Sequence, residues 1–165
     1  MKIREMKIMK SAMIGICVIV GVALGQPAFA QAAYRDLAED EILYEGHTKL
    51  EKCDSVIVSF VLNSKENIAR NFSIELTGIH VKETNGSVTD ITLKSIFDVK
   101  AKVKEGVLDY SYSFNNQSWQ ITIRQGLGSS LATGEIRCDY ALSSISSDRQ
   151  FKISGTAPVQ FNKIR

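Results

Sequence analysis

Histidine is scarce in this chain, with His47 and His80 the only two among 165 residues. It is the side chain that moves protons near neutral pH and a common metal ligand. Neither copy belongs to an HxH or HxxxH spacing, so proton-relay catalysis and a histidine-built metal site both lack their parts. Cysteine is almost as rare, and Cys17, Cys53 and Cys138 form no Cys-x-x-Cys pair, which excludes the usual zinc and thiol-redox motifs. No aspartate-rich loop suits calcium. No Gly-x-Ser-x-Gly occurs, and Gly126-Leu127-Gly128-Ser129-Ser130 lacks the strand-to-helix setting of a nucleophile elbow or phosphate cradle, so it reads as a flexible connection. Paired carboxylates for glycoside cleavage are set by the fold, and no pair stands out. No catalytic residue, metal or cofactor is expected.

Long apolar runs are missing as well. The one candidate, Ala12 to Gly25, is shorter than the roughly 20 residues of a membrane span, so no span is expected. Lys2, Arg4, Lys7 and Lys10 precede it and Ala28-Phe29-Ala30 follows it, which is the three-part pattern of a secretory signal. Pro27 breaks the segment before the small residues, so cleavage is expected after Ala30, with Ala32 as the competing position. Cys17 does not suit lipid attachment, because Ile16 precedes it and the apolar run continues beyond it. Residues 1–30 are thus read as a cleavable signal, and residues 31–165 as a single β-rich domain in the periplasm or outside the cell.

Charge of one sign is not in excess. The whole chain carries +2, but residues 1–30 hold four basic side chains and one acid, which leaves 16 basic against 17 acidic in the remainder. A net charge of −1 gives no electrostatic footprint for nucleic acid. With Cys17 removed, Cys53 and Cys138 are the only two thiols in an oxidising compartment, and the expectation is one disulfide between them.

What is present is mostly strand pattern. The exception is Ala33 to Tyr44, where Tyr34, Leu37, Ala38 and Ile42 share a helical face, Asp36, Glu39, Asp40 and Glu41 take the solvated one, and Gly46 is placed to end the helix. After Gly46 the period becomes two. Ile91, Leu93, Phe97, Val99, Ala101 and Val103 alternate with Thr92, Lys94, Asp98, Lys100, Lys102 and Lys104, so one face is buried and the other wet. Glu105-Gly106 turns the chain, and Leu108, Tyr110, Tyr112 and Phe114 resume the inward phase. A second turn at Asn115-Asn116-Gln117 leads to Trp119, Ile121 and Ile123, which predicts a three-strand meander over 96–124. The phase of Phe72, Ile74 and Leu76 slips by one at Gly78, a β-bulge signal, and Asn85-Gly86 is a hairpin turn.

Further strands fit 55–62, whose unbroken apolar run marks a central position, and 135–142. A last pair around 151–154 and 159–161 is split by Gly155 and Pro158. The fold class is therefore mainly β, an antiparallel sandwich or barrel of about eight strands with one short N-terminal helix and one disulfide.

Lys94, Lys100, Lys102 and Lys104 share one phase of one strand, about 6.6 Å apart where alternate, and form a candidate surface for an anionic partner. The same row also serves as protection against pairing with other chains. Tyr110, Tyr112 and Trp119 are in phase with apolar neighbours and belong to the core rather than to a stacking platform.

Tyr34-Arg35-Asp36-Leu37, then Gly46, then Leu50-Glu51-Lys52-Cys53, with Asn85-Gly86-Ser87-Val88 and a second cysteine at Cys138, resemble the VirK family of small exported bacterial proteins associated with virulence regulons. The resemblance covers the first two-thirds of residues 31–165 loosely. Ile96-Phe97-Asp98-Val99 departs from the family's pattern, and 27 residues follow Cys138 where the family nearly ends. It implies an exported accessory protein without established catalysis. From the residues themselves the expectation is a non-enzymatic exported binding protein whose partner is a protein, a glycan or a lipid. The alternative is a barrel that carries a small apolar ligand in a cavity lined by Phe97, Leu108, Tyr110, Tyr112, Phe114 and Trp119.

Overall fold

The computed structural model describes residues 16–19, 37–82, 86–114, 117–143 and 150–165. A short strand, β1 (Ile16–Ile19), lies within the segment read as the signal. Eight longer strands follow: β2 (Glu41–Leu50), β3 (Cys53–Asn63), β4 (Ile68–Lys82), β5 (Val88–Lys102), β6 (Leu108–Phe114), β7 (Gln117–Gln125), β8 (Leu131–Ser143) and β9 (Gln150–Lys163). All pairings are antiparallel, and the sheet order is β1-β5-β4-β3-β2-β9-β8-β7-β6. The eight long strands curl until β5 and β6, at opposite ends of that order, meet through their side chains. The result is a nearly closed barrel.

Alternation dictates the wall. On β5, Leu93, Phe97 and Ala101 are buried and Ile91 and Val99 pack against them, while Thr92, Asp98, Lys100 and Lys102 are exposed. β3 is central, held by β2 on one side and β4 on the other, and the consecutive burial of Phe60, Val61 and Leu62 shows cover on both faces. The phase slip at Gly78 is a bulge: the β4–β5 register shifts between Leu76 and Ile79, and Gly78 takes φ 64°, where a side chain would be strained.

Several expectations need correction. There is no helix among the described residues. Residues 33–36 lie outside them, Glu39-Asp40 is a turn, and Glu41 to Tyr44 already belong to β2. Ile42, Leu43 and Tyr44 are all buried: Ile42 and Tyr44 belong to the interior cluster, and Leu43 lies opposite the buried Val61 on the other face, where its N donates to Arg165 O at 3.0 Å as the chain end continues the ladder. Burial on both faces erases the period of two that would have marked a strand.

Gly46 ends nothing; it lies mid-strand opposite Phe161. The final two strands are one, since β9 pairs with β8 continuously from Gln150 to Asn162, straight through Gly155 and Pro158. Proline is tolerated because the β2 ladder stops at His47 and Gln160, just before the missing N–H would matter. The Pro158 carbonyl instead accepts a hydrogen bond from Thr48 Oγ1 at 2.8 Å. Lastly, the meander is incomplete. β6 and β7 pair along their whole length, but β5 and β6 share only the bridge Lys104–Val107 around the Glu105-Gly106 turn. The turn at Asn115-Asn116 and the hairpin residue Asn85 fall outside the described residues.

The interior is packed with rings. Tyr44 stacks on Phe60 (centroids 5.3 Å), Phe60 on Phe72 (5.6 Å) and Phe72 on Tyr110 (4.5 Å), while Phe161 meets Phe60 edge-on at 5.5 Å. Gly46 lets Val159 and Phe161 close on this stack. A Cβ there would stand 2.6 Å from Val159 Cγ2, 2.8 Å from Phe161 Cδ1 and 3.0 Å from the Gln160 carbonyl oxygen. Gly46→Ala is therefore expected to destabilise the barrel by about 1 to 3 kcal/mol and to lower the melting midpoint by roughly 5 to 10 °C. Thermal unfolding followed by circular dichroism measures it, and an unchanged midpoint would contradict this packing.

Candidate binding surface

β5 carries the lysine row, and the structure separates its members. Lys94 is half-buried and forms an ion pair with Glu75 on the neighbouring β4, with Nζ 3.1 Å from Oε2. It is occupied. Lys100, Lys102 and Lys104 stand exposed on the outer face at the end of β5 next to the turn. Lys100 is opposite Arg70, whose guanidinium is held by the nearly buried Glu41, with Nη2 2.6 Å from Oε1 and 2.7 Å from Oε2. Among the described residues, no carboxylate pairs with the three outer lysines, so they form a short positive ridge on a chain with little net charge.

The same strand borders a seam. The hairpin begins to zip at Lys104 and Val107, which exchange hydrogen bonds of 3.0 and 2.8 Å. Glu105 and Gly106 both take positive φ, as a two-residue turn of this type requires. Beyond that bridge the ladder stops, and the gap is spanned by side chains, Tyr110 on Phe72 and Tyr112 on Phe97 (4.3 Å). Further along β5, on its free edge, β1 is laid antiparallel, with Ile16 opposite Ser95 and Ile19 opposite Thr92. Behind the seam, Tyr112 Oη and Trp119 Nε1 are buried without a hydrogen-bond partner. Such groups are costly and uncommon in native cores. Sequence reasoning had no signal for them, because the phase that places the rings inside says nothing of where their polar tips point.

The outer face of β6, β7 and β8 is polar and holds an open depression of about 300 Å³ bordered by Ser111, Ser113, Ser118, Gln120, Arg137 and Asp139. Asp139 already pairs with Lys152 at 3.4 Å, and Gln120 donates to Asp109 at 3.2 Å. No nucleophile and base meet there. The Gly126–Ser130 connection is held at one end of the barrel by Tyr44, whose hydroxyl donates to Ser129 O (2.6 Å) and accepts from Gly128 N (2.8 Å).

Both histidines lie within strands, His47 on β2 and His80 on β4. His47 faces Glu45 at 2.9 Å on the exposed side of β2. His80 Nδ1 is 2.6 Å from Asp90 Oδ1, its cross-strand neighbour on β5, and its Nε2 is 3.4 Å from Asp54 Oδ2 on β3. The hydrogen bond to Asp90 and the charges of both carboxylates raise its pKa. A raised value means that the clasp stabilises fully below the unfolded-state pKa near ~6.5 and fades as pH climbs through the folded-state value. Among the described residues, no group of three His, Cys, Asp or Glu is arranged to hold a metal ion.

The cysteine expectation is corrected. Cys53 and Cys138 are both buried and both free thiols. They lie on β3 and β8, with β2 and β9 between them. Three strand spacings amount to about 14 Å along the wall, against the roughly 4.4–6.8 Å Cα separation of a disulfide. Burial pushes the Cys138 thiol up to about 12, with Cys53 and Asp139 adding to the effect, and burial also raises Cys53. Thiols that seldom ionise are poor partners in exchange, which protects them even in an oxidising compartment.

Comparison of the chain with protein-family models, with curated proteins and with solved structures finds no match. The chain freed of residues 1–30 is expected to titrate for two thiols when denatured without reductant and to react only slowly when native. A denatured chain without free thiols would show that the barrel contracts to bond the pair.

Proposed function

We propose that this is an exported, non-enzymatic binding protein that meets an anionic partner protein on the outer surface of β5, with Lys100, Lys102 and Lys104 as the contact charges. The observation that carries the reading is the filled interior: Leu108 and Trp119 are buried, Tyr110 stacks on Phe72, and Tyr112 lies against Phe97. Rings that touch each other occupy the space that a carried apolar ligand would need, so recognition falls to the outside. Next to the lysines lies an uncompleted backbone edge, which a polypeptide can pair with and a lipid or glycan cannot. That favours a protein among the three partner classes. The signal-like pattern of residues 1–30 supports an encounter in the periplasm or outside the cell, and the resemblance to the VirK family is in keeping with an exported accessory role.

With a net charge near −1 after the signal is removed, general attraction to polyanions is absent, so any binding must come from a local patch. Immobilised poly-L-glutamate is a suitable probe. The protein is expected to be retained at low ionic strength and released as the screening length shortens toward about 8 Å. Replacing Lys100, Lys102 and Lys104 with Gln should weaken retention about tenfold, at a few tenths to 1 kcal/mol per exposed charge, and leave the melt nearly unchanged. Equal retention of the variant at low salt would sink the proposal.

A further inference from the structure

We propose that the free edge of β5 beside the seam is a strand-accepting site, which takes one extended apolar segment of the partner protein antiparallel to β5 over Thr92–Ser95. The proposal rests on the reading of an exported binding protein and says how that protein holds its partner.

Four observations converge on this seam. The hydrogen-bond ladder that runs through the rest of the barrel is missing here, since β5 and β6 stop pairing one bridge beyond their turn. That leaves two facing rows of backbone donors and acceptors, the feature by which sheets recruit foreign strands. The edge is also already in use: Ile16–Ile19, an apolar stretch of the chain's own N-terminal segment, pairs with Thr92–Ser95 through four successive residues. Tyr112, whose ring lies against Phe97 of β5, keeps its Oη buried and unpartnered, and so does Trp119 Nε1 on the neighbouring β7, so polar groups beside the seam lack acceptors. Ile96, next to the paired stretch, is half exposed on the outer face, where an apolar side chain of a neighbouring strand would cover it.

Signal cleavage decides the occupant. The seated segment lies within residues 1–30, so the exported chain loses its own cover and presents the edge empty. The uncleaved chain is self-capped, and the cleaved one is competent to bind. The chemistry of the cap states what fits: a short, extended, apolar strand. A second copy of this chain offers only the free edges of β5 and β6, each fixed by its other edge in a curved wall, whereas the cap is a separate extended segment, so the occupant is a segment of another protein.

The test uses a synthetic peptide spanning residues 14–21, with Cys17 replaced by Ser, added to the exported chain isolated without its leader. Amide hydrogen exchange is read at Thr92–Ser95. Exchange at the amides that face the seam should slow about tenfold when nine-tenths of the chains are occupied, by mass action. The same peptide with Val18→Pro has lost a donor and cannot pair, so it should give no protection. In the uncleaved full-length chain these amides should be protected from the outset, and Val18→Pro within that chain should release them. Absence of protection by the first peptide, equal protection by the proline peptide, or a dimer that protects the same amides without peptide would each overturn the proposal. The intact mass of the exported protein is a separate readout: a chain still beginning at Met1 would refute the export reading, while the full-length comparison would continue to test the seam.

Discussion

Four aromatic rings crossing the interior hold this barrel in shape. Tyr44, Phe60, Phe72 and Tyr110 belong to β2, β3, β4 and β6, so the stack runs along three neighbouring strands and then leaps the seam to the far end of the sheet. Closure by backbone pairing would require β5 and β6 to zip, and they do not. Closure by stacked rings needs only that β4 and β6 face each other across the interior. Each contact contributes about 0.5 to 1.5 kcal/mol beyond the apolar area it buries, and together they join two sheet ends that share one backbone bridge. At the other end of the stack, the Tyr44 hydroxyl secures the β7–β8 connection. One feature thus sets wall curvature, core filling and loop placement.

The same constraint shapes what the protein can do. Rings in contact take up interior space at the centre of the barrel, while a wall closed by side chains leaves backbone unpaired between β5 and β6. The proposed meeting place for a partner is the rim and outer surface of β5, where three exposed lysines end the strand and a free edge runs beside them. His80 clasps Asp54 and Asp90 across three strands, and the two thiols are buried with raised pKa values.

Much of this was legible in the sequence. Strands β4 to β8 announce themselves because one of their faces is buried and the other is wet, β3 by its unbroken apolar run, and the Gly78 bulge is visible as a phase slip. β2 was read as a helix because Ile42, Leu43 and Tyr44 are covered on both sides, which removes the alternation, while Leu37, Ala38 and Ile42 happen to fall at helical spacing. β9 was divided because Gly155 and Pro158 are local breakers, and only the unbroken register with β8 outweighs them. The cysteines were paired from compartment and number, which carry no information about how far apart around a barrel the two side chains project. The seam was hidden for a similar reason: the Glu105-Gly106 turn is plain in the sequence, but whether the hairpin zips beyond it depends on Phe72, a residue of a different strand.

Native-state amide exchange along Leu108–Phe114 tests the account most directly. In a wall closed by rings, the β6 amides bonded to β7 should be protected while the alternate ones, which face the seam, exchange close to the rate of an open chain. Uniform protection of every amide from Leu108 to Phe114 would mean that β5 and β6 are joined by a full ladder, and the side-chain-closed barrel would be wrong.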